Sequence, residues 1–221
     1  MPWREQLIHC IDFEGSLGSG VVEYGVVSWQ GGRIVGTHTR RCRPTGEMRA
    51  EDVAVHRLPS HLVMDEAPLA DDFAYFAELR ATGPLAAHFA NAESTLIKSV
   101  WPYPRQSPDF LRVGAMVLDW GPWIDTGRLY PQLYPNLGSA RLEDLVERCG
   151  LQARLDALAA EHCPLSRRHY HAALYDALAA MLLLDRLAHE PVLGQRPLSW
   201  LLTMSTLDPE KREALNQAEL F

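Results

Sequence analysis

The stretch from Leu7 to Thr39 constrains the fold most, because it reads as three strands joined by turns too short to hold a helix. Leu7–Phe13 (LIHCIDF) is a short apolar run that ends at a Gly/Ser cluster, Gly15–Gly20. Val21–Trp29 (VVEYGVVSW) is β-branched and aromatic, and Gln30-Gly31-Gly32 turns it into Arg33–Thr39 (RIVGTHT), the second arm of a hairpin. An antiparallel meander is expected. The turn after its first strand lacks GxGxxG spacing and opens into another strand, which argues against a dinucleotide-binding unit.

Beyond the meander the periodicity changes. Arg43–Pro59 reads as irregular and polar. Asp71–Ala81 has helical apolar spacing and stops at Gly83-Pro84; Leu85–His88 reads as a short strand and Ala92–Val100 as a helix. Arg141–Cys149 and Leu151–Cys163 are amphipathic helices parted at Gly150, Tyr170–His189 is the longest helix, and Pro191 ends it. A final helix is expected over Asp208–Leu220, after a Pro/Trp-rich connection. This order predicts an α/β fold: one mixed sheet with helices on its faces. A chain of 221 residues, 47% hydrophobic, suffices for one large domain. Residues 1–190 are expected to form it, with 191–221 a C-terminal extension packed on the same body.

The chemistry-bearing residues sit where those elements end. Asp12 and Glu14 are two apart on a strand, so their carboxylates leave the same face side by side. Buried charges persist only when paired or metal-bound, and a divalent cation would relieve the repulsion; a solvated strand end is the alternative. Asp176 lies in the first turns of the long apolar helix, with His171 five residues earlier near its start. A histidine ordinarily titrates near ~6.5 and is suited to taking a proton from a metal-bound water at neutral pH. A surface histidine beside a helix-start aspartate is the other reading, and His169 is a rival base.

Charge narrows the partner class. A net charge of −7 argues against a grip on long duplexes through many phosphates and leans toward short, single-stranded ends. The four cysteines are scattered without CxxC spacing, which suggests reduced thiols and a cytoplasmic protein. No stretch approaches the ~18 apolar residues of a membrane span.

In combination these motifs resemble the DEDDh class of 3′–5′ exonucleases, which includes the proofreading subunit of bacterial replicative polymerases and ribonuclease T. IDFEGS (Ile11–Ser16) followed by VVEYGVV (Val21–Val27) is similar to the family's first motif, and HAALYDALAAMLLL (His171–Leu184) to its third. WIDT (Trp123–Thr126) and RLEDLVERCGL (Arg141–Leu151) resemble the elements between. In the second motif AHFANAESTLI (Ala87–Ile97) places Phe89 at the family's Asn and Glu93 at its metal-binding Asp.

The resemblance implies a ribonuclease-H-like fold with a mixed five-stranded sheet. It implies two Mg²⁺ or Mn²⁺ ions held by Asp12, Glu14, Glu93 and Asp176, with His171 as general base, in hydrolysis of phosphodiester bonds at the 3′ end of DNA or RNA. Gly15, Ser16 and Leu17 would line the terminal nucleotide's pocket; the basic pair Arg167-Arg168, by its place just before His171, reads either as a solvated charged face or as a contact to a backbone phosphate. A role in DNA repair, as a homodimer or beside a polymerase or repair partner, would accompany that activity. The alternative is a weakened, nucleic-acid-binding module, because Glu93 stands where the family has Asp.

Overall fold

The computed structural model describes residues 1–112, 114–208, 210 and 213. The meander forms as β1 (Ile8–Ser16), β2 (Gly20–Gln30) and β3 (Arg33–Arg41), each antiparallel to the next. After α1 (Ala50–His56) and α2 (Phe73–Thr82), β4 (Leu85–Ala87) joins β1 on its other side in parallel, and α3 (Asn91–Val100) follows. A two-stranded ribbon, β5 (Ser107–Pro108) with β6 (Met116–Val117), precedes β7 (Ile124–Asp125), which closes the main sheet in parallel with β4. The five strands run in the order β3-β2-β1-β4-β7, so β1 lies at the centre.

The remaining chain is helical: α4 (Thr126–Leu133), α5 (Leu142–Arg148), α6 (Gln152–His162), α7 (Ala173–His189) and α8 (Leu198–Met204). Strand alternation divides the core into two layers. Ile8 and Cys10 of β1 with Val27 and Trp29 of β2 pack against α7, where Ala177, Leu178 and Met181 are buried. Ile11 and Phe13 face the other way, onto Phe76 of α2 and Ile97 of α3. The aromatic rings of Phe13 and Phe76 are 5.6 Å apart.

Three sequence expectations need correction. The stretch read as irregular, Arg43–Pro59, contains α1. The connection after Pro191 contains α8, whose Leu198, Leu201 and Leu202 are buried in the α7 layer; the Ser205 hydroxyl just beyond accepts from the Asp125 N–H. The longest helix begins at Ala173, not Tyr170, because the backbone of His171 has positive φ (62°) and breaks the helical run. The helix expected over Asp208–Leu220 lies outside the described residues save Asp208, Glu210 and Glu213. No helix among the described residues is long and apolar enough to cross a membrane.

Candidate active site

Side chains on β1 alternate, so Asp12 and Glu14 share the α7 face with Ile8 and Cys10. Their neighbours across the antiparallel ladder are Gly25 and Glu23 of β2. The strand register slips between Glu14 and Gly15, and Gly15 adopts φ 130°. A Cβ there would lie 2.2 Å from the Gly20 carbonyl oxygen, so glycine is what lets the chain turn immediately after the second carboxylate.

Helix α7 reaches this face because β2 makes room for it. A Cβ on Gly25 would stand 2.2 Å from the Leu174 backbone nitrogen, so the missing side chain lets the helix start settle directly on the strand beside Asp12. Two residues away, Glu23 accepts from the Ala173 N–H (3.0 Å), one of the unpaired donors of the helix N-terminus. Thus docked, the first turns of α7 present Asp176 to β1. Asp176 Oδ2 accepts from the His171 N–H (3.0 Å), while its buried Oδ1 has no hydrogen-bond partner. Ligand atoms of Glu14, His171 and Asp176 all lie within 4.8 Å of one another.

Glu93 arrives from the opposite layer. β4 ends at Ala87, so the main chain of β1 beyond Cys10 has no strand partner on that side. Glu93, in the first turn of α3, fills the gap: its Oε2 accepts from the Phe13 N–H at 2.9 Å, between the two β1 carboxylates. Asp12, Glu14, Glu93 and Asp176 therefore come near enough to repel one another at the C-terminal end of the central strand, and among the described residues only Glu14, Asp176 and His171 lie within ligand distance of one another.

The electrostatics of this cluster are unfavourable without a cation. Burial is the first cause of a raised carboxyl pKa at all four positions. At Asp12 the charges of Glu93, Asp176, Glu14 and Glu23 add to it, and at Glu93 those of Glu14 and Asp176 do so against the Phe13 N–H. Glu14 is pushed up to about 8 by burial and by Asp176 and Glu23, with Arg167 pulling the other way. Asp176 is pushed up to about 7 by burial, against the His171 N–H and Arg167. The carboxylates of Glu14 and Asp176, held this close to each other and to the His171 ring, with the Asp176 Oδ1 buried and without a donor, fit a divalent cation, which favours oxygen ligands.

The other expected contacts divide. Gly15 and Ser16 end β1 just beyond Glu14 and Leu17 opens the turn after it; Ser16 is tied to Ser19 through its N–H (3.0 Å), and Leu17 is 66% exposed. Arg168 is exposed, but its guanidinium caps the end of α6, donating to the carbonyls of Ala160 (2.9 Å) and Cys163 (3.2 Å). Arg167 overturns its expectation. It is 5% exposed and turned inward, where it pairs with Glu23 instead of presenting itself to a phosphate. Glu23 is the residue that sequence reasoning left without a role, although the Glu-x-Gly spacing of Glu23 and Gly25 stood in the quoted motif. Asp125 of the WIDT element is likewise structural: its carboxylate accepts from the N–H groups of Phe89, Ala90 and Arg128, joining the end of β4 to the start of α4.

No protein-family profile matches the chain, and no curated protein matches it. Solved structures do. Exonuclease X in complex with 5′-overhanging duplex DNA superposes with a TM-score of 0.61 at 20% identity, over 89% of this chain and 99% of that one. A 3′-exonuclease solved in recognition of the histone mRNA stem-loop gives 0.61 at 15% identity, over 87% of this chain and 85% of that one. Exonuclease I of E. coli with a dT13 oligonucleotide gives 0.60 at 11% identity, over 94% of this chain and 45% of that longer one. At these identities the likeness speaks to the backbone, and it agrees with the strand order and flanking helices described above. The chain shares the fold of these exonucleases, a mixed five-stranded sheet flanked by helices.

Proposed function

We propose that this protein is a 3′–5′ exonuclease that hydrolyses single-stranded 3′ ends of DNA or RNA with divalent metal ions. The observation that carries the proposal is the convergence of Asp12, Glu14, Glu93 and Asp176 beside His171, with all four carboxyl groups driven toward the proton-bound form. A cluster that resists its own charge is poised for a cation. Asp12, Glu14, Glu93 and Asp176 would hold two Mg²⁺ or Mn²⁺ ions, which when bound lower the pKa of a coordinated water and neutralise charge on the phosphate.

The chain's own groups supply the rest. His171 is exposed at the rim, with a ring nitrogen within 4.8 Å of carboxylate oxygens of Glu14 and Asp176. There its imidazole can accept the proton of the attacking water as the water oxygen bonds to phosphorus. The bond from phosphorus to the 3′ oxygen breaks, and that oxygen is protonated from solvent. Gly15, Ser16 and Leu17, just beyond Glu14, would line the pocket of the terminal nucleotide, where exposed Leu17 would offer a base an apolar contact. The structural neighbours, which include proteins solved with duplex DNA, with a histone mRNA stem-loop and with a dT13 oligonucleotide, support the substrate class.

The test is a time course on 3′-labelled and 5′-labelled single-stranded DNA and RNA oligonucleotides with Mg²⁺, Mn²⁺ or EDTA. A metal-dependent ladder shortening from the 3′ end, absent in Asp12→Asn, is the expected result. Intact oligonucleotides under every condition would instead favour a binding module whose second motif, with Glu93, no longer supports turnover.

A further inference from the structure

Arg167 makes four hydrogen bonds from inside the protein. Its Nε and Nη2 hold the two oxygens of Glu23 at 2.9 and 2.5 Å, its Nη1 donates to the His56 carbonyl at 2.7 Å, and Nη2 also donates to the His171 carbonyl at 3.1 Å. His171 is thereby held from both sides, since its N–H is bound to Asp176 Oδ2. The residue between these two anchors has φ 62°, uncommon for a side chain with a Cβ. Such a backbone persists only where its surroundings over-determine it. Here they do, through one guanidinium and one carboxylate.

We infer that Arg167 is a positioning residue for His171: it fixes the left-handed turn that carries the imidazole to the carboxylate cluster. The inference rests on the functional reading above and adds a residue to it. Three features support it. Replacing a buried ion pair by apolar side chains is often neutral or stabilising, so stability alone gives little reason to bury this one. The same Glu23 that receives Arg167 also binds the Ala173 N–H, so the turn and the start of α7 share one anchor. Through the His56 carbonyl the guanidinium also ties the C-terminal end of α1 to this turn. A lysine could not repeat the pattern, because its single ammonium lacks the planar fork that reaches four acceptors on three segments.

The experiment is a double-mutant cycle of Arg167→Lys with His171→Ala, read as kcat and KM on a 3′-labelled oligonucleotide. It is accompanied by amide hydrogen exchange of the metal-free protein across residues 169–173. Arg167→Lys should lower kcat ten- to a hundredfold with KM within about threefold, and should speed exchange at His171 and Ala173 at least tenfold. In the His171→Ala background the same change should cost less than about threefold, because the base it positions is gone. A wild-type kcat and exchange rate, or an equal loss in both backgrounds, would overturn the inference. Should Arg167→Lys fail to fold, Glu23→Gln, which keeps one acceptor for the fork, carries the same cycle with the same expectations. A wild-type protein that degrades no oligonucleotide refutes the exonuclease reading, while the exchange rates still judge the clamp by themselves.

Discussion

Glu14 and Glu23 face one another across β1 and β2, both nearly buried, yet the fold treats them in opposite ways. Glu23 is saturated: a two-pronged pair with Arg167 and the Ala173 N–H account for its oxygens. Glu14 accepts no hydrogen bond among the described residues, and its neighbours Asp176 and Glu23 are negative. The same contrast recurs on α7, where Asp185 takes the Trp29 indole N–H and Arg154, whereas Asp176 keeps a buried oxygen without a partner. A satisfied buried carboxylate holds elements together. An unsatisfied one among its own kind weakens the fold unless something outside the chain completes it.

That contrast makes opposite forecasts for two similar substitutions. Glu14→Gln should lower turnover on the order of 10³-fold or more, since in the proposed reaction it removes charge from the group that holds the cation. It should also raise the melting temperature of the metal-free protein near pH 8, because one of four repelling carboxylates is gone. Glu23→Ala should do the reverse to the fold. Breaking one side of a buried pair leaves Arg167 uncompensated, at a cost of about 3–5 kcal/mol, or roughly 10 °C in melting temperature for a chain of this size. Thermal melts of the two proteins side by side read both effects. Equal shifts of the same sign would erase the distinction between the two glutamates.

The comparison sharpens with pH. Glu14 and Asp176 are raised from 4.5 to about 8 and from 3.8 to about 7, so across that window the folded state binds more protons than the unfolded state. Their contribution is fully present below the unfolded values and is lost as pH rises through the folded ones. His9 and His88 act in the opposite sense: burial lowers each to about 4, so their contribution is lost as pH falls from 6.5 toward 4. The wild type minus Glu14→Gln difference isolates the carboxylate effect. Metal-free wild type should lose stability relative to Glu14→Gln between pH 5 and 8, and Mn²⁺ should raise its melting temperature more at pH 8 than at pH 5. A flat difference would mean that the cluster is relieved from within the chain.

The sequence made the two glutamates unequally legible, for a physical reason. Asp12 and Glu14, or His171 and Asp176, are local pairs whose spacing maps onto strand or helix geometry, and Glu93 follows from its place after β4. The partner of Glu23 is 144 residues away, and no periodicity announces it. Arg167 beside Arg168 reads as a surface pair because arginine is seldom buried; only the folded chain turns one in and leaves the other out. The meander was legible to within two or three residues at each end, since β-branched runs between glycines have few alternatives. Helix α4 was hidden by Pro131 within it, α8 by the prolines around it, and β7 by its two-residue length.

Glu93 stands between the two glutamates of the comparison, and it gives the smallest and most discriminating forecast. One oxygen is satisfied, by the Phe13 N–H, while burial first, and then the negative neighbours Glu14 and Asp176, raise its pKa. Its length follows from where β4 stops: with no strand beside Phe13, a side chain from α3 must span to the main chain of β1. Glu93→Asp restores the residue of the resembled motif but shortens the reach by one methylene, leaving the Phe13 N–H without its acceptor. The expected cost is about 1–3 kcal/mol of stability, with turnover reduced about tenfold or less, since the charge stays near the cluster. Melting curves and single-turnover rates of this one variant separate the two parts of the residue. A loss of stability with most activity kept would place Glu93 nearer to Glu23, as a carboxylate that holds β1 in place. Unchanged stability with activity lost would place it nearer to Glu14, its reach set by the cation and not by the strand.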